Sequence, residues 1–94
     1  MKSGNMVIAI PVELIEYKNA VNIGLFYLVL GYRPKKVYDN GDDEKSVRIK
    51  ISPKAQEYYN IIELYPEFNG VKKKIITTAL AFVAEKPELK NVKL

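Results

Sequence analysis

The feature that most constrains this chain is a short alternation of apolar and polar residues that runs directly into a helix start. Apolar and polar side chains alternate through Ser46, Val47, Arg48, Ile49, Lys50 and Ile51. A period of two places the apolar side chains on one face of a strand and the polar ones on the other. Ser52 and Pro53 then provide a helix cap and a first helical residue. The pattern predicts a strand with one buried face and one basic face, followed at once by a helix.

Two helices are predicted after this strand. Residues at helical spacing form the apolar stripe of the first helix, which ends at Pro66: Ala55, Tyr58, Tyr59, Ile62 and Tyr65. Asn69 and Gly70 predict a turn. The second helix ends at Pro87 and has its own apolar face, made of Ile75, Ile76, Ala79, Leu80 and Val83. The predicted order of this part of the chain is strand, helix, turn, helix.

The first part of the chain predicts further structure around an acidic turn. Residues 6–10 form an apolar run closed by Pro11, which is typical of a strand followed by a helix with Pro at its first position. Residues 20–32 are apolar nearly all round, which fits either a buried helix or a buried strand; we favour the helix, with Asn19 or Gly24 as a break. Residues 39–44 contain Asn-Gly and predict a turn, which is compatible with a hairpin between 35–38 and 46–51. A calcium loop here lacks the required acidic spacing.

Length and composition indicate one small α+β domain. The chain has 94 residues, of which 48% are hydrophobic and 28% charged, a balance typical of globular proteins. We expect residues 1–45 to form an N-terminal extension with strand and helical segments, 46–86 a strand-helix-helix unit, and 87–94 a tail. Cys and His are absent from the sequence, which excludes thiol nucleophiles, imidazole bases and Cys/His zinc sites. We therefore expect a binding protein rather than an enzyme, with no cofactor and no metal.

The distribution of charge directs the search for a partner. The formal net charge is +4, and the charges of residues 1–45 cancel, so the excess of cations lies in the C-terminal half. Three of these cations, Lys72, Lys73 and Lys74, stand where the second helix is predicted to begin. Cations at a helix N-terminus oppose the helix dipole, whereas a bound phosphate would be attracted by both the lysines and the free N–H groups. The pattern favours an anionic partner, although a solvated basic loop before the helix is an alternative.

The order of elements and their charges resemble a known family. Residues 46–86 resemble the ribbon-helix-helix family of DNA-binding proteins, in which strands from two subunits pair and enter the major groove. The resemblance implies that Ser46, Arg48 and Lys50 read base edges, and that Val47, Ile49 and Ile51 face a dimer core. It also implies that the start of the second helix, near Lys72, Lys73 and Lys74, holds a phosphate. For Arg48 and Lys50, an edge strand protected by charge from aggregation is the alternative.

The sequence thus predicts a small, homodimeric, DNA-binding transcriptional regulator in the cytoplasm, without a membrane segment. Within nucleic-acid binding, a winged helix is the alternative, but its wing at residues 39–44 would be acidic. From another class, a non-catalytic accessory subunit could dock on a larger assembly, such as one that processes nucleic acid, through residues 23–32 if they form an exposed patch. Residues 8–19 and 49–60 also resemble each other in sequence, with one residue skipped before the proline, at a level that chance explains.

Overall fold

The computed structural model describes residues 6–36, 38 and 46–92, and it confirms a small α+β domain. The two strands are β1 (Met6–Pro11) and β2 (Ser46–Ile51), and the three α-helices are α1 (Val21–Leu30), α2 (Pro53–Ile62) and α3 (Lys74–Glu85). Shorter turns of 3-10 helix cover Pro66–Phe68 and Pro87–Asn91, and a longer 3-10 helix, Val12–Ala20, joins β1 to α1. The predicted acidic turn at residues 39–44 lies outside the described residues.

The alternating strand is confirmed, but its pairing differs from both predictions. Ile49 and Ile51 are buried and Arg48 and Lys50 are exposed, as a period of two requires. The partner of β2 is β1, which runs antiparallel to it with Ile8 opposite Ile49. The predicted hairpin with residues 35–38 is wrong where the structure describes it, because Lys35 and Lys36 form a bend. The backbone N–H groups of this bend donate to the Glu85 carboxylate, at 2.6 and 2.7 Å.

The predicted first helix is present as a 3-10 helix, and α1 follows it directly after Ala20, whose φ of −104° and ψ of 17° mark the change of helix type. A 3-10 helix has three residues per turn, so Leu14, Tyr17 and Ala20 lie above one another on one face. Leu14 and Ala20 are buried, and the half-buried Tyr17 packs against both hydrophobic clusters of the domain. Because these apolar residues are three positions apart, they form one continuous face of the 3-10 helix, and this face packs against the core.

Helix α1 is the predicted buried helix of residues 20–32. Val21, Ile23, Leu25 and Leu28 are all buried in it. Gly24 does not break the helix, contrary to one expectation, and lies against Ala79 of α3. The helix ends at Gly31, whose left-handed φ of 106° lets its N–H donate to the carbonyls of Leu28 and Tyr27.

The starts of α2 and α3 follow the sequence signals. The Ser52 hydroxyl accepts a hydrogen bond from the N–H of Ala55 at 3.1 Å, which confirms the predicted cap of α2. The helix ends at Ile62, before Pro66, and Pro66 begins the next 3-10 turn. The turn before α3 is present as predicted, with Gly70 at a φ of 84°.

The element order strand, helix, helix occurs twice in the described part of the chain. The first set is β1, the 3-10 helix Val12–Ala20 and α1; the second is β2, α2 and α3. The two sets interlock, since α1 packs against α2 and α3, and the 3-10 helix packs against α3. The N-terminal half therefore contributes one strand and two helical segments to a shared core.

Arg33 joins the end of α1 to the 3-10 turn Pro66–Phe68. Its guanidinium donates two hydrogen bonds to the Glu67 carboxylate, both at 2.7 Å, and one each to the carbonyls of Leu28 and Tyr32. It also lies 5.7 Å from the ring centres of Tyr65 and Phe68. The hydrogen bonds from Arg33 hold the pKa of Glu67 below its ordinary value.

This pair predicts a pH-dependent part of the stability. A carboxyl whose pKa is lower in the folded chain stabilises the fold above its unfolded pKa, and this contribution is lost as the pH falls through the folded value. Because the Glu67 side chain is 52% exposed, we expect less than about 1 kcal/mol. Urea unfolding across the acidic range should show a smaller loss of stability for Glu67→Gln than for the native chain. The matched control Glu88→Gln, at an exposed position, should lose as much stability as the native chain. Equal losses in Glu67→Gln and the native chain would contradict the assignment.

Candidate nucleic-acid interface

The outward face of the two-stranded ribbon carries two cations side by side on β2. Arg48 stands opposite Ala9 and Lys50 stands opposite Val7, and all four residues are exposed. The other face of the ribbon is closed by the core, where Ile10 and Ile51 are almost completely buried. Neither strand contains an acidic residue. The ribbon therefore presents two cations with no carboxylate beside them on either strand.

Ser46, the third predicted reader, has a different environment. It pairs with the buried Pro11 at the end of the ribbon and is itself half-buried. It lies on the same face as Arg48 and Lys50 by the alternation of the strand, but less of its surface is accessible. Arg48 and Lys50 are thus the stronger candidates for contact with a ligand.

A cleft beside these cations adds residues that the sequence reasoning did not select. It has a volume of about 350 Å³ and is lined by Ile15, Lys18, Asn19, Arg48, Ile49 and Lys50. A second depression of about 230 Å³ is also lined by Lys18, Asn19 and Lys50, and extends to Asn22 and Ser52. Lys18 and Asn19 lie in the last turn of the 3-10 helix, which ends at Ala20 just before α1 begins. The end of this helix therefore brings a further cation to the edge of the ribbon.

The start of α3 is where Lys72, Lys73 and Lys74 lie, as predicted. Lys73 is the N-cap residue without a side-chain capping bond, Lys74 is the first helical residue, and the first turn contains no acidic residue. The Lys72 ammonium is 3.8 Å from a Glu63 carboxylate oxygen, and its side chain is 58% exposed. These three lysines line neither of the two clefts beside the ribbon. The predicted cations thus form two separate groups.

Tyr59 connects α2 to the start of α3. It is buried, and its hydroxyl lies 3.4 Å from the Lys72 carbonyl oxygen, to which it donates. Burial, with a smaller contribution from the Glu63 carboxylate, raises the pKa of Tyr59. The phenol therefore stays protonated at neutral pH and remains a hydrogen-bond donor, which positions the chain just before α3.

Metal sites and membrane-spanning helices are two further features that would indicate a function. Within residues 6–36, 38 and 46–92, acidic side chains form no group of three or more that could hold a metal ion. The wing of a winged helix and the calcium loop considered from the sequence both fall at residues 39–44, outside the described part. In that same described part, none of the helices has the length and apolar character needed to cross a bilayer.

Comparisons with protein-family models, with curated proteins and with solved structures found no match to this chain.

Proposed function

We propose that this protein binds double-stranded DNA by inserting the β1–β2 ribbon into the major groove, as a small regulator of transcription. The observation that carries the proposal is the pair Arg48 and Lys50, exposed on a ribbon whose opposite face is buried. Paired strands lie about 5 Å apart, and a major groove about 12 Å wide admits a two-stranded ribbon. An Arg side chain inside the groove can bond both acceptors of a guanine edge, and a Lys side chain can bond a base or a phosphate.

The flanking cations support the same mode of binding. Lys18 precedes α1, and Lys72, Lys73 and Lys74 stand at the start of α3. In each strand-helix-helix set, cations therefore accompany the start of the second helix. At the start of α3 the N–H groups of Lys74 and Ile75 already donate to the carbonyls of Val71 and Lys72. The attraction for phosphate therefore comes from the lysine side chains, which suit the DNA backbone on either side of an inserted ribbon.

A ribbon-helix-helix arrangement within one chain is part of this proposal. The strand that the family takes from a second subunit corresponds here to β1. The predicted homodimer rested on the small core of a 94-residue chain and on an inner strand face left open to a partner. Ile49 and Ile51 of that face are buried within the chain, so a second chain is not needed to cover them.

An accessory subunit that docks through residues 23–32 is the second candidate function. Most of that segment faces the core, with Ile23, Leu25 and Leu28 buried, while Leu30 and Tyr32 are more than half exposed. The extended exposed patch on which this alternative depends is therefore reduced to the end of α1.

Binding of a labelled random duplex tests the proposal, with fluorescence anisotropy recorded at several salt concentrations. We expect Lys72→Ala/Lys73→Ala/Lys74→Ala to bind all duplexes more weakly. The log–log slope of its salt dependence should fall by about 0.9 for each phosphate that the variant no longer neutralises. The fold should be unchanged or slightly stabilised, because the conflict with the helix dipole disappears.

A matched control removes the same charge elsewhere. Lys35→Ala/Lys86→Ala/Lys90→Ala changes exposed lysines in the bend and beyond α3, and it should bind like the native chain. Equal weakening in both triple variants would mean that only net charge matters. Absence of duplex binding by the native chain at low salt would reject the proposed function.

A further inference from the structure

The sequence similarity within the chain coincides with the geometry of the ribbon. At one constant sequence separation, five residues of the first strand-helix set match five of the second: Ile8 and Ile49, Ile10 and Ile51, Glu16 and Glu57, Tyr17 and Tyr58, Asn19 and Asn60. The first matched pair, Ile8 and Ile49, are also direct cross-strand partners. Two antiparallel strands are related by a local two-fold axis, and this pairing puts the axis between matched residues.

The packing of the helices follows the same two-fold relation. Helix α1 packs against α2, and the counterpart contact joins α3 to the 3-10 helix Val12–Ala20. Helices α1 and α3, which are counterparts of each other, pack together. The core positions Leu14 and Ala55, separated by the same interval as the matched residues, are both buried. One chain thus contains two interlocked halves that bury each other's apolar surfaces.

The two halves differ on the face that is open to a ligand. The exposed residues of β1 on this face are Val7 and Ala9, whereas those of β2 are Lys50 and Arg48. Each apolar residue stands directly opposite a cation. A palindromic duplex offers the same base edges to both strands of a ribbon, but this ribbon has one apolar row and one cationic row. Its chemistry is therefore complementary to a site whose two halves differ.

We infer that a single copy of this chain binds a non-palindromic duplex site, with guanines facing Arg48 and Lys50 and thymine methyl groups facing Val7 and Ala9. This inference rests on the proposed function. A strand of six residues extends about 20 Å, so the ribbon covers about six base pairs at the DNA rise of 3.4 Å. Valine and alanine can contact the thymine methyl group, which is the apolar feature of the major groove.

Selection of binding sites from random duplex, followed by sedimentation of the complex, tests the inference. We expect an asymmetric consensus with guanine on one side and thymine on the other, one chain for each duplex, and a free chain that sediments as a monomer. Replacing the consensus thymines with uracil removes only the methyl groups and should weaken binding about fourfold for each contacted methyl. In Val7→Ser, which changes an exposed side chain, this sensitivity to uracil should decrease.

A palindromic consensus occupied by two chains would overturn the inference and leave the proposed function in place, as would a free chain that sediments as a dimer. If uracil substitution does not change binding by the native chain, the thymine methyl groups do not contact the protein, which would contradict the predicted contacts of Val7 and Ala9. No duplex bound at low salt would reject the proposed function itself, and the inference with it.

Discussion

Replacing Arg48 and Lys50 together with Thr is expected to remove the preference for a selected DNA site over random duplex. Both side chains are exposed on the outer face of the ribbon, so the fold should change little. Threonine is a good strand former, and we expect a stability change within about 0.5 kcal/mol. The bidentate hydrogen bonds from Arg48 to guanine alone correspond to about 1–3 kcal/mol of discrimination. Weak binding to all sequences should remain through Lys72, Lys73 and Lys74.

The measurement is a pair of anisotropy titrations, one with the selected site and one with random duplex, and a thermal melt of each variant. Lys35→Thr/Lys36→Thr is the matched control, because it removes two exposed cations from a bend rather than from the ribbon. An equal loss of specific and random binding would make the ribbon a general electrostatic surface. Unchanged binding to both duplexes would reject the ribbon as the DNA reader and favour the accessory-subunit function.

The strand β2 and the cap of α2 were predictable because both depend on local sequence. Alternation determines which face of Ser46–Ile51 is buried, and the Ser52 side chain caps a helix within three residues of itself. The partner of the strand was not predictable in this way. A period of two indicates a buried face but does not indicate whether residues 35–38, β1 or a second chain pairs with the edge.

The contribution of Lys18 and Asn19 was missed for a related reason. They are distant in sequence from Arg48 and Lys50, and they reach the ribbon only because β1 pairs with β2 and the following 3-10 helix packs against both strands. The similarity of residues 8–19 to 49–60 was the available signal. This similarity corresponds to the repeated strand-helix-helix order. Two similar strand-helix segments suggest two similar halves, and thus β1 as the partner of β2.

Gly24→Ala is expected to produce the largest loss of stability of any substitution considered, because the backbone of α3 lies directly against this residue of α1. A Cβ atom at Gly24 would lie 2.6 Å from the carbonyl oxygen of Ala79 and 3.2 Å from its Cβ. The clash is with backbone, so it cannot be relieved by rotation of a side chain, and the two helices must move apart. That movement would loosen the packing of Leu25, Leu28 and Leu80, which are fully buried. Overpacking of a core usually costs about 1–3 kcal/mol, and a rigid backbone contact belongs at the upper end.

The higher helix propensity of Ala offsets about 1 kcal/mol of this cost. We therefore expect a net destabilisation of about 2 kcal/mol, which lowers the melting temperature of a domain of this size by about 8–16 °C. Circular dichroism melts and urea titrations measure the effect. Leu30→Ala in the same helix is the control, because Leu30 is 56% exposed and its truncation should change the melting temperature little. A melting temperature for Gly24→Ala equal to or above that of the native chain would contradict the close crossing of α1 and α3. Such a result would mean that α1 and α3 can move apart at Ala79 without loosening the core.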